Sequence, residues 1–392
     1  MKKTDKFYIV NASPYCIFNG KNYIDPAELI SISQWFGIFG DITLLRPRLR
    51  QKEIPTGWLE LPSDIAVNEL CTVGDGRLRR YIAVTLNAYK YLRSADIIYV
   101  RMPNYEGYWS YRVAKKLKIK LLLELHGDWA GSILSEDFNG PIRILTRCYR
   151  AKKADKAVRS MVEYASLLIT IGPALAHRYQ DIHLPILVTT NHLLSKSSYT
   201  IREDFDLHIP PRIVFVGDIQ RRKGLPYLFE SLGKLKRLGR SFEMVVVGNG
   251  PLVAELTDYA NNGGFLNSIV FRGRIPYGKE LIDQIRNSDV LVLPSIGSEG
   301  VPRVTHEAMA VGCPVIAADI GSISWQLQDG SGVLIQPADA NELTEAIIKV
   351  FDDSIFRRDL SINGRHRAEQ FTLEMQTKKL QEFIDKNIDL AD

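Results

Sequence analysis

Cysteine is scarce in this chain of 392 residues: the four present, Cys16, Cys71, Cys148 and Cys313, are widely spaced. None sits in a CxxC pair or beside histidines at zinc-ligand spacing, so they read as free thiols of a reducing compartment, and a cytoplasmic location is expected. Long apolar runs are missing too. No segment offers the about twenty apolar residues of a membrane span. The opening MKKTDKFYIVNAS has only a short apolar run before Asn11, too short for a secretory signal, so any membrane contact is expected to be peripheral. Charge of one sign is lacking: 50 Lys and Arg against 45 Asp and Glu leave +5, too weak a bias to argue for nucleic acid. No DxD pair stands at a strand end where it could bridge a diphosphate through a metal; Asp352 and Asp353 follow a helical pattern instead. Repeats and low-complexity segments are absent.

What is present is a well-mixed chain with 45% hydrophobic residues, enough to bury substantial cores and most comfortably two domains. In the first half, apolar runs at Phe7–Val10, Ile42–Leu45, Ile97–Val100, Leu121–Leu125 and Leu167–Ile171 read as buried parallel strands. Helical patterns near Ala27–Phe36, Leu78–Leu92, Tyr108–Leu117 and Ile142–Tyr164 separate several of them. The second half alternates more cleanly, with strands at Ile213–Val216, Met244–Val247, Ile269–Phe271, Val290–Leu293, Val315–Ala317 and Val333–Ile335. Its helices begin near Leu225, Leu252, Lys279, Pro302, Ser322 and Asn341. Strands separated by helices imply βαβ units and hence two doubly wound α/β domains, at residues 1–195 and 213–370. The polar stretch 196–212, with Pro210-Pro211, reads as the linker, and a last helical pattern lies within 371–392. Ligands of such sheets bind at the carboxyl ends of the strands.

The most informative stretch is PSIGSEGVPRVTHEAMAVGCP, from Pro294 to Pro314. Pro302 suits a first helical turn, Gly312 suits the left-handed residue after the last turn, and Pro314 forbids continuation, which predicts a helix of about ten residues. Glu299 then lies in the preceding loop and Glu307 on the helix, at the edge of an apolar stripe of Val304, Ala308 and Val311; His306 falls on the opposite face. A buried carboxylate must be paired, by the protein or by a ligand's hydroxyl groups. The backbone N–H groups of Gly300 and Val301 open a turn suited to an anion. A helix-capping Glu299 and a salt-bridged Glu307 would produce the same letters.

Other candidates stand at strand ends. Arg221, Arg222 and Lys223 lie between the strand Ile213–Val216 and a helix, where cations and free backbone donors would cradle a diphosphate. Gly248, in Gly248-Asn249-Gly250, ends the next strand, and Arg272 closes the one after. His126 follows Leu121–Leu125. Gly20, read as following the first strand, would let the backbone approach a diphosphate. Two basic clusters, Arg46–Lys52 and Arg147–Arg159, would attract an anionic membrane or a lipid-linked acceptor, unless they are ordinary solvated surface.

The EGVP, HEAMAVGCPVIA and DGSGVLIQPADANELTEAI segments, with seven residues between Glu299 and Glu307, resemble the E-x7-E signature of the retaining glycosyltransferases of family 4. The resemblance is specific over about Ile213–Ile348 and only architectural before Ser195. It implies the GT-B fold, two Rossmann-like domains facing an interdomain cleft, with an acceptor-binding N-terminal domain and a C-terminal helix crossing back to it. It implies that Glu299 contacts the transferred sugar, Glu307 the ribose, and Lys223 the leaving diphosphate. Asp218 occupies the position where many members carry an arginine, and Arg222 is the candidate substitute. The LHG context of His126 resembles the family's histidine near the reacting sugar. Arg272-Gly273-Arg274 resembles the segment bordering the base, and Gly20 stands where members usually have a glycine pair.

The function implied is transfer of a sugar from a nucleotide-diphosphate sugar to an acceptor hydroxyl, on a glycan or lipid-linked glycan of surface polysaccharide assembly. Front-face substitution would need no protein nucleophile and no metal. A nucleotide-sugar epimerase of the same fold and a non-catalytic nucleotide-sugar-binding protein are the alternatives.

Overall fold

The computed structural model describes residues 6–51, 53–135, 141–199, 202, 204–297 and 299–388. The chain divides into two compact units. Unit 1 takes in the residues up to Leu134, those from Leu145 to Asn191, and those from Gln376 onward; unit 2 is built around His192–Met375.

Unit 1 carries a ten-stranded sheet: β1 (Lys6–Val10), β2 (Tyr15–Phe18), β3 (Lys21–Ile24), β4 (Asp41–Arg48), β5 (Leu59–Glu60), β6 (Ala66–Thr72), β7 (Ile97–Met102), β8 (Lys120–Leu125), β9 (Leu167–Ile171) and β10 (Ile186–Thr189). The order runs β10-β9-β8-β7-β1-β4-β2-β3-β5, with β6 also on β4. The pairs among β10, β9, β8, β7, β1 and β4 are parallel, in register Phe7↔Ile97 and Ile97↔Lys120. Such strands bury both faces, which is why LLITI and KLLLEL are almost wholly apolar. The five strands that apolar runs predicted are all present. The antiparallel hairpin β2–β3 and the short β5 were not legible, because their alternating or solvent-facing residues leave no run.

That hairpin corrects the reading of Gly20. Asn19 (φ 48°) and Gly20 (φ 76°) form its two-residue turn, where left-handed backbone at both positions is what asparagine and glycine supply. The loop that follows β1 is Asn11-Ala12-Ser13-Pro14, with no glycine.

Within the basic cluster Arg46–Lys52, Arg46 is not on the surface. Arg46 is 0% exposed. Its guanidinium bonds Glu28 at 3.1 Å and the Ser13 carbonyl at 3.2 Å, while Arg48 and Arg50 face Glu69. Lys52 lies outside the described residues. In the second cluster Arg147, Lys152, Lys153, Lys156 and Arg159 are exposed along the helix Pro141–Tyr164.

Unit 2 has a six-stranded, fully parallel sheet ordered β13-β12-β11-β14-β15-β16, from β11 (Arg212–Val216), β12 (Glu243–Val247), β13 (Ile269–Gly273), β14 (Val290–Leu293), β15 (Val315–Ala318) and β16 (Val333–Ile335). All six strands and the helices between them follow the sequence reading. The chain switches from one side of β11 to the other between β13 and β14, a switch point that opens at the carboxyl ends of β11 and β14.

Residues 200, 201 and 203 of the expected linker lie outside the described residues. What is described of 202–212 is pinned to unit 2: Asp289, fully buried, accepts from Arg202 Nη2 (3.2 Å), His208 Nδ1 (3.0 Å) and the backbone N–H of Arg212 (2.7 Å). A polar, proline-containing stretch reads as a tether from sequence alone; here a buried carboxylate 77 to 87 positions further along the chain consumes its donors. Among the described residues no helix is long and apolar enough to cross a membrane.

Candidate active site

The helix bracketed by Pro302 and Gly312 is Arg303–Ala310, with Pro302 just ahead of it in extended conformation and Gly312 at φ 71° behind it. It is shorter than expected because Val311 and Gly312 close it in turns, their N–H groups bonding the carbonyls of Ala308 and Met309. It is also buried nearly all round: Thr305, His306, Glu307, Ala308, Met309 and Ala310 are all inside. His306, on the face opposite the apolar stripe, is thus buried as well. Its ring stacks on His192 with centroids 3.4 Å apart, and its Nε2 meets Tyr199 Oη at 2.5 Å. A single apolar stripe predicts one buried face, but a helix between a sheet and the helix Ser354–Glu369 buries two.

Glu299 lies in the loop between β14 and this helix. Its Oε1 is 2.5 Å from Lys223 Nζ, accepts from Ser295 Oγ at 2.9 Å, and is 3.8 Å from Arg222 Nη1. Three sequence-predicted groups therefore meet, and the backbone explains how. The carbonyl of Arg222 accepts from the N–H groups of Ile296 (2.8 Å) and Gly297 (3.0 Å). Gly224, at φ 71°, presses on the loop so closely that a Cβ would fall 1.7 Å from the Pro294 carbonyl oxygen. Gly321 does the same from the far side, at 1.8 Å from the carbonyl oxygen of Glu299. The backbone N–H groups of Gly300 and Val301 bond no other described residue.

Asp218 is exposed, 3.9 Å from Arg222 Nη2, and Arg222 Nε also donates to Gln220 Oε1 at 3.2 Å. Arg222 is thus held between Asp218, Gln220 and Glu299.

Glu307 is 5% exposed and, among the described residues, has no hydrogen-bond or ion-pair partner. Burial pushes its carboxyl up to about 7, against the attraction of Arg303. Beside it, Tyr277 Oη is buried without a hydrogen-bond partner, and the Arg303 guanidinium sits 5.9 Å over the Tyr277 ring. The salt-bridged reading of Glu307 does not hold. A buried carboxyl and phenol left open in one place suit a ligand's hydroxyl groups. Tyr277 lies in a loop with no motif around it, so nothing in the sequence singles it out.

Gly248 (φ 139°) has a reason of its own: a Cβ there would fall 1.9 Å from the Gly217 carbonyl oxygen, where the turns after β11 and β12 touch. Arg272 is exposed on the edge strand β13 and, among the described residues, has no ion-pair partner.

In unit 1, His126 stands at the carboxyl end of β8, its backbone N–H bonded to the Met102 carbonyl. It lines a pocket of about 370 Å³ with Asn11, Ser13, Glu28, Arg101 and Asn104. Apart from Glu28, on the helix Pro26–Ser33, these residues come from the ends of β1, β7 and β8, which are neighbours in the sheet. Arg101 and Glu124 were not singled out in the sequence, because charged residues inside strand runs look like edge residues until the fold buries them; Glu28 sits on the helix Pro26–Ser33 with no motif around it, and Arg46 was read only as one cation of a basic cluster.

Residues 200–367 match the family model described as "Glycosyl transferases group 1". Among curated proteins, the chain is 27% identical over 275 residues to TuaC of Bacillus subtilis (strain 168), a protein named for teichuronic acid biosynthesis, covering 68% of this chain and 64% of that protein. It is 27% identical to the amylovoran biosynthesis glycosyltransferase AmsK of Erwinia amylovora, over 46% of each. The chain thus spans from about half to just under two thirds of the length of these two relatives. Among solved structures, Anabaena HepE in complex with UDP and glucose superposes with a TM-score of 0.74 at 17% identity, covering 97% of this chain and all of that one. Over its whole described length the chain has the GT-B fold of two Rossmann-like domains, and its residues 200–367 carry the match to the group 1 glycosyl transferases.

Proposed function

We propose that this chain is a retaining glycosyltransferase that moves a sugar from a nucleotide-diphosphate sugar to an acceptor hydroxyl. The observation that carries the reading is the pairing, on one loop and helix, of Glu299 held by Lys223, Ser295 and Arg222 with a buried Glu307 that no described side chain satisfies. The match of residues 200–367 to the group 1 glycosyl transferases supports it, as does a solved neighbour of the same fold that binds UDP and glucose.

In this reading Glu307 and Tyr277 take the ribose hydroxyls. Lys223 and Arg222 meet the diphosphate and oppose the charge that grows on it as the glycosidic bond breaks, and preorganised cations of this kind are worth most where water is excluded. Glu299 orients the sugar, and the open N–H groups of Gly300 and Val301 add donors to the same anion. Gly248 and Arg272 border the base. The leaving phosphate assists deprotonation of the acceptor, so no protein nucleophile is assigned. Cations and backbone donors do the work of a divalent metal.

The acceptor is a glycan or lipid-linked glycan of surface polysaccharide assembly, a reading that the teichuronic acid and amylovoran relatives support. Action at the cytoplasmic face of an anionic membrane fits the surface of unit 1. The helix Arg77–Leu92 has no acidic residue, yet exposes Leu78 (72%), Ile82, Leu86 (65%) and Tyr89 beside Arg79 and Lys90. Apolar side chains flanked by cations are the composition of a helix that lies on anionic lipid.

The test is a thermal-shift screen of uridine, guanosine and adenosine diphosphate sugars, followed by turnover of the best binder. Stabilisation by one donor, with hydrolysis or transfer that keeps the anomeric configuration, is the expected result. Donor binding with neither hydrolysis nor transfer under any acceptor defeats the enzyme reading, and net inversion defeats the retaining one.

A further inference from the structure

The pocket of unit 1 is walled by a chain of buried charges. Glu28 is shared by Arg46 (3.1 Å) and Arg101 (3.2 Å); Arg101 reaches on to Glu124 with Nε at 3.4 Å from Oε1. Glu124, on β8, also accepts from Tyr99 Oη at 2.5 Å and is bonded to His126 through Nε2. Two carboxylates and two guanidiniums thus cancel, so the pocket has no surplus cation to attract an anion.

Glu124 stays ionised: although burial opposes it, His126, Arg101 and Tyr99 bring its carboxyl down to about 2. His126 is held neutral, because burial and the Arg101 charge outweigh the attraction of Glu124 and Glu28. An ionised carboxylate only accepts, so the imidazole proton it binds is on Nε2. A neutral ring has one proton, which leaves Nδ1 as a bare acceptor. No described residue donates to Nδ1.

We propose that Glu124 is a positioning residue, fixing His126 with its proton on Nε2 so that Nδ1 offers the pocket an acceptor for a hydroxyl of an uncharged sugar. The identity of that sugar as a reactant rests on the glycosyl-transfer reading; the tautomer and the preference for a neutral hydroxylic ligand do not.

The experiment is ring nitrogen NMR on the full-length ¹⁵N-histidine protein, with His126→Gln used to assign the signals. In the wild type at neutral pH, Nδ1 should be unprotonated and Nε2 protonated. Methyl α-D-glucopyranoside should shift the His126 signals saturably at millimolar concentration, and inorganic phosphate should not. In Glu124→Gln the ring should become a tautomer mixture and the glucoside response should fall at least tenfold. Tyr99→Phe, which keeps every charge, should weaken the response less and guards against a Gln variant that fails to fold. With an identified acceptor, Glu124→Gln should lower kcat/KM while leaving UDP affinity unchanged. A protonated Nδ1 in the wild type overturns the proposal, as does a tautomer indifferent to Glu124→Gln, a response to phosphate, or no response to the glucoside. None of these results depends on turnover, so failure of the transferase reading would be seen separately.

Discussion

A Cβ built on Gly321 falls 1.8 Å from the carbonyl oxygen of Glu299, so the backbone carrying the loop carboxylate rests directly on a glycine twenty-two positions further along. Gly321 is also at φ 60°, where alanine costs about 1–2 kcal/mol. Gly321→Ala should therefore push the Glu299 loop aside. A displacement near 1 Å in a reacting group costs on the order of a hundredfold in rate. We expect turnover to fall by at least tenfold while circular dichroism stays native, and steady-state kinetics will check it.

Lys223→Ala and Glu299→Ala should separate binding from turnover. Lys223 meets the diphosphate in the proposed complex, and a charge-assisted bond is worth about 1.5–3 kcal/mol, so UDP affinity should drop about ten- to a hundredfold. Glu299→Ala should remove transfer while costing UDP affinity only a few-fold. Isothermal titration of UDP against all three proteins decides; equal wild-type affinity and rate in both variants would remove these residues from the site.

Glu307 predicts a pH dependence of stability. Its carboxyl is raised from 4.5 to about 7 by burial. The folded state therefore holds a proton that the unfolded chain has released, so the associated stability is complete below pH about 4.5 and is lost as pH rises through about 7. The full effect is on the order of 3 kcal/mol. His192 and His306, whose burial keeps them neutral, slope the opposite way, but they are common to wild type and Glu307→Gln. The variant should thus gain on the wild type between pH 5 and 8 by several degrees in Tm, while losing UDP affinity. Parallel melting curves across that range would contradict it.

Asp289 should behave as an anchor. It is fully buried and satisfies Arg202, His208 and the Arg212 backbone. Removing one partner of a buried charge network costs about 3–5 kcal/mol. Asp289→Ala should lower the denaturant midpoint accordingly and expose the 202–212 segment to limited proteolysis, whereas Asp289→Asn should do so less.

Chelation should leave turnover intact. If Lys223, Arg222 and backbone N–H groups serve the diphosphate, EDTA in excess should change the initial rate by less than twofold. Loss of activity restored by magnesium or manganese would contradict the metal-free reading.

Much of unit 2 was legible because its physics is local. A parallel strand buried on both faces must be a short apolar run, and Ile213–Val216 or Val290–Leu293 can be little else. The meeting of Lys223 with Glu299, 76 positions apart, was expected only from the family resemblance; the fold achieves it by laying β11 beside β14. What stayed hidden was decided by long-range burial. Arg46 reads as one more cation in a basic run until Glu28 is brought beside it. His306 falls opposite the apolar stripe and is buried because a second helix covers it, and Tyr277 gains meaning only next to Glu307. Gly20 failed for the opposite reason: a two-residue turn explains it completely, and only strand pairing reveals the turn.

The contact of Gly224 with the Pro294 carbonyl welds the cationic turn to the acidic loop through main chain alone. In the proposed complex, side chains around this seam can therefore be exchanged to retune which sugar is accepted, while the spacing between the groups that meet the phosphate and the sugar stays invariant. An engineer seeking a new donor should vary the rim and leave the two glycines untouched.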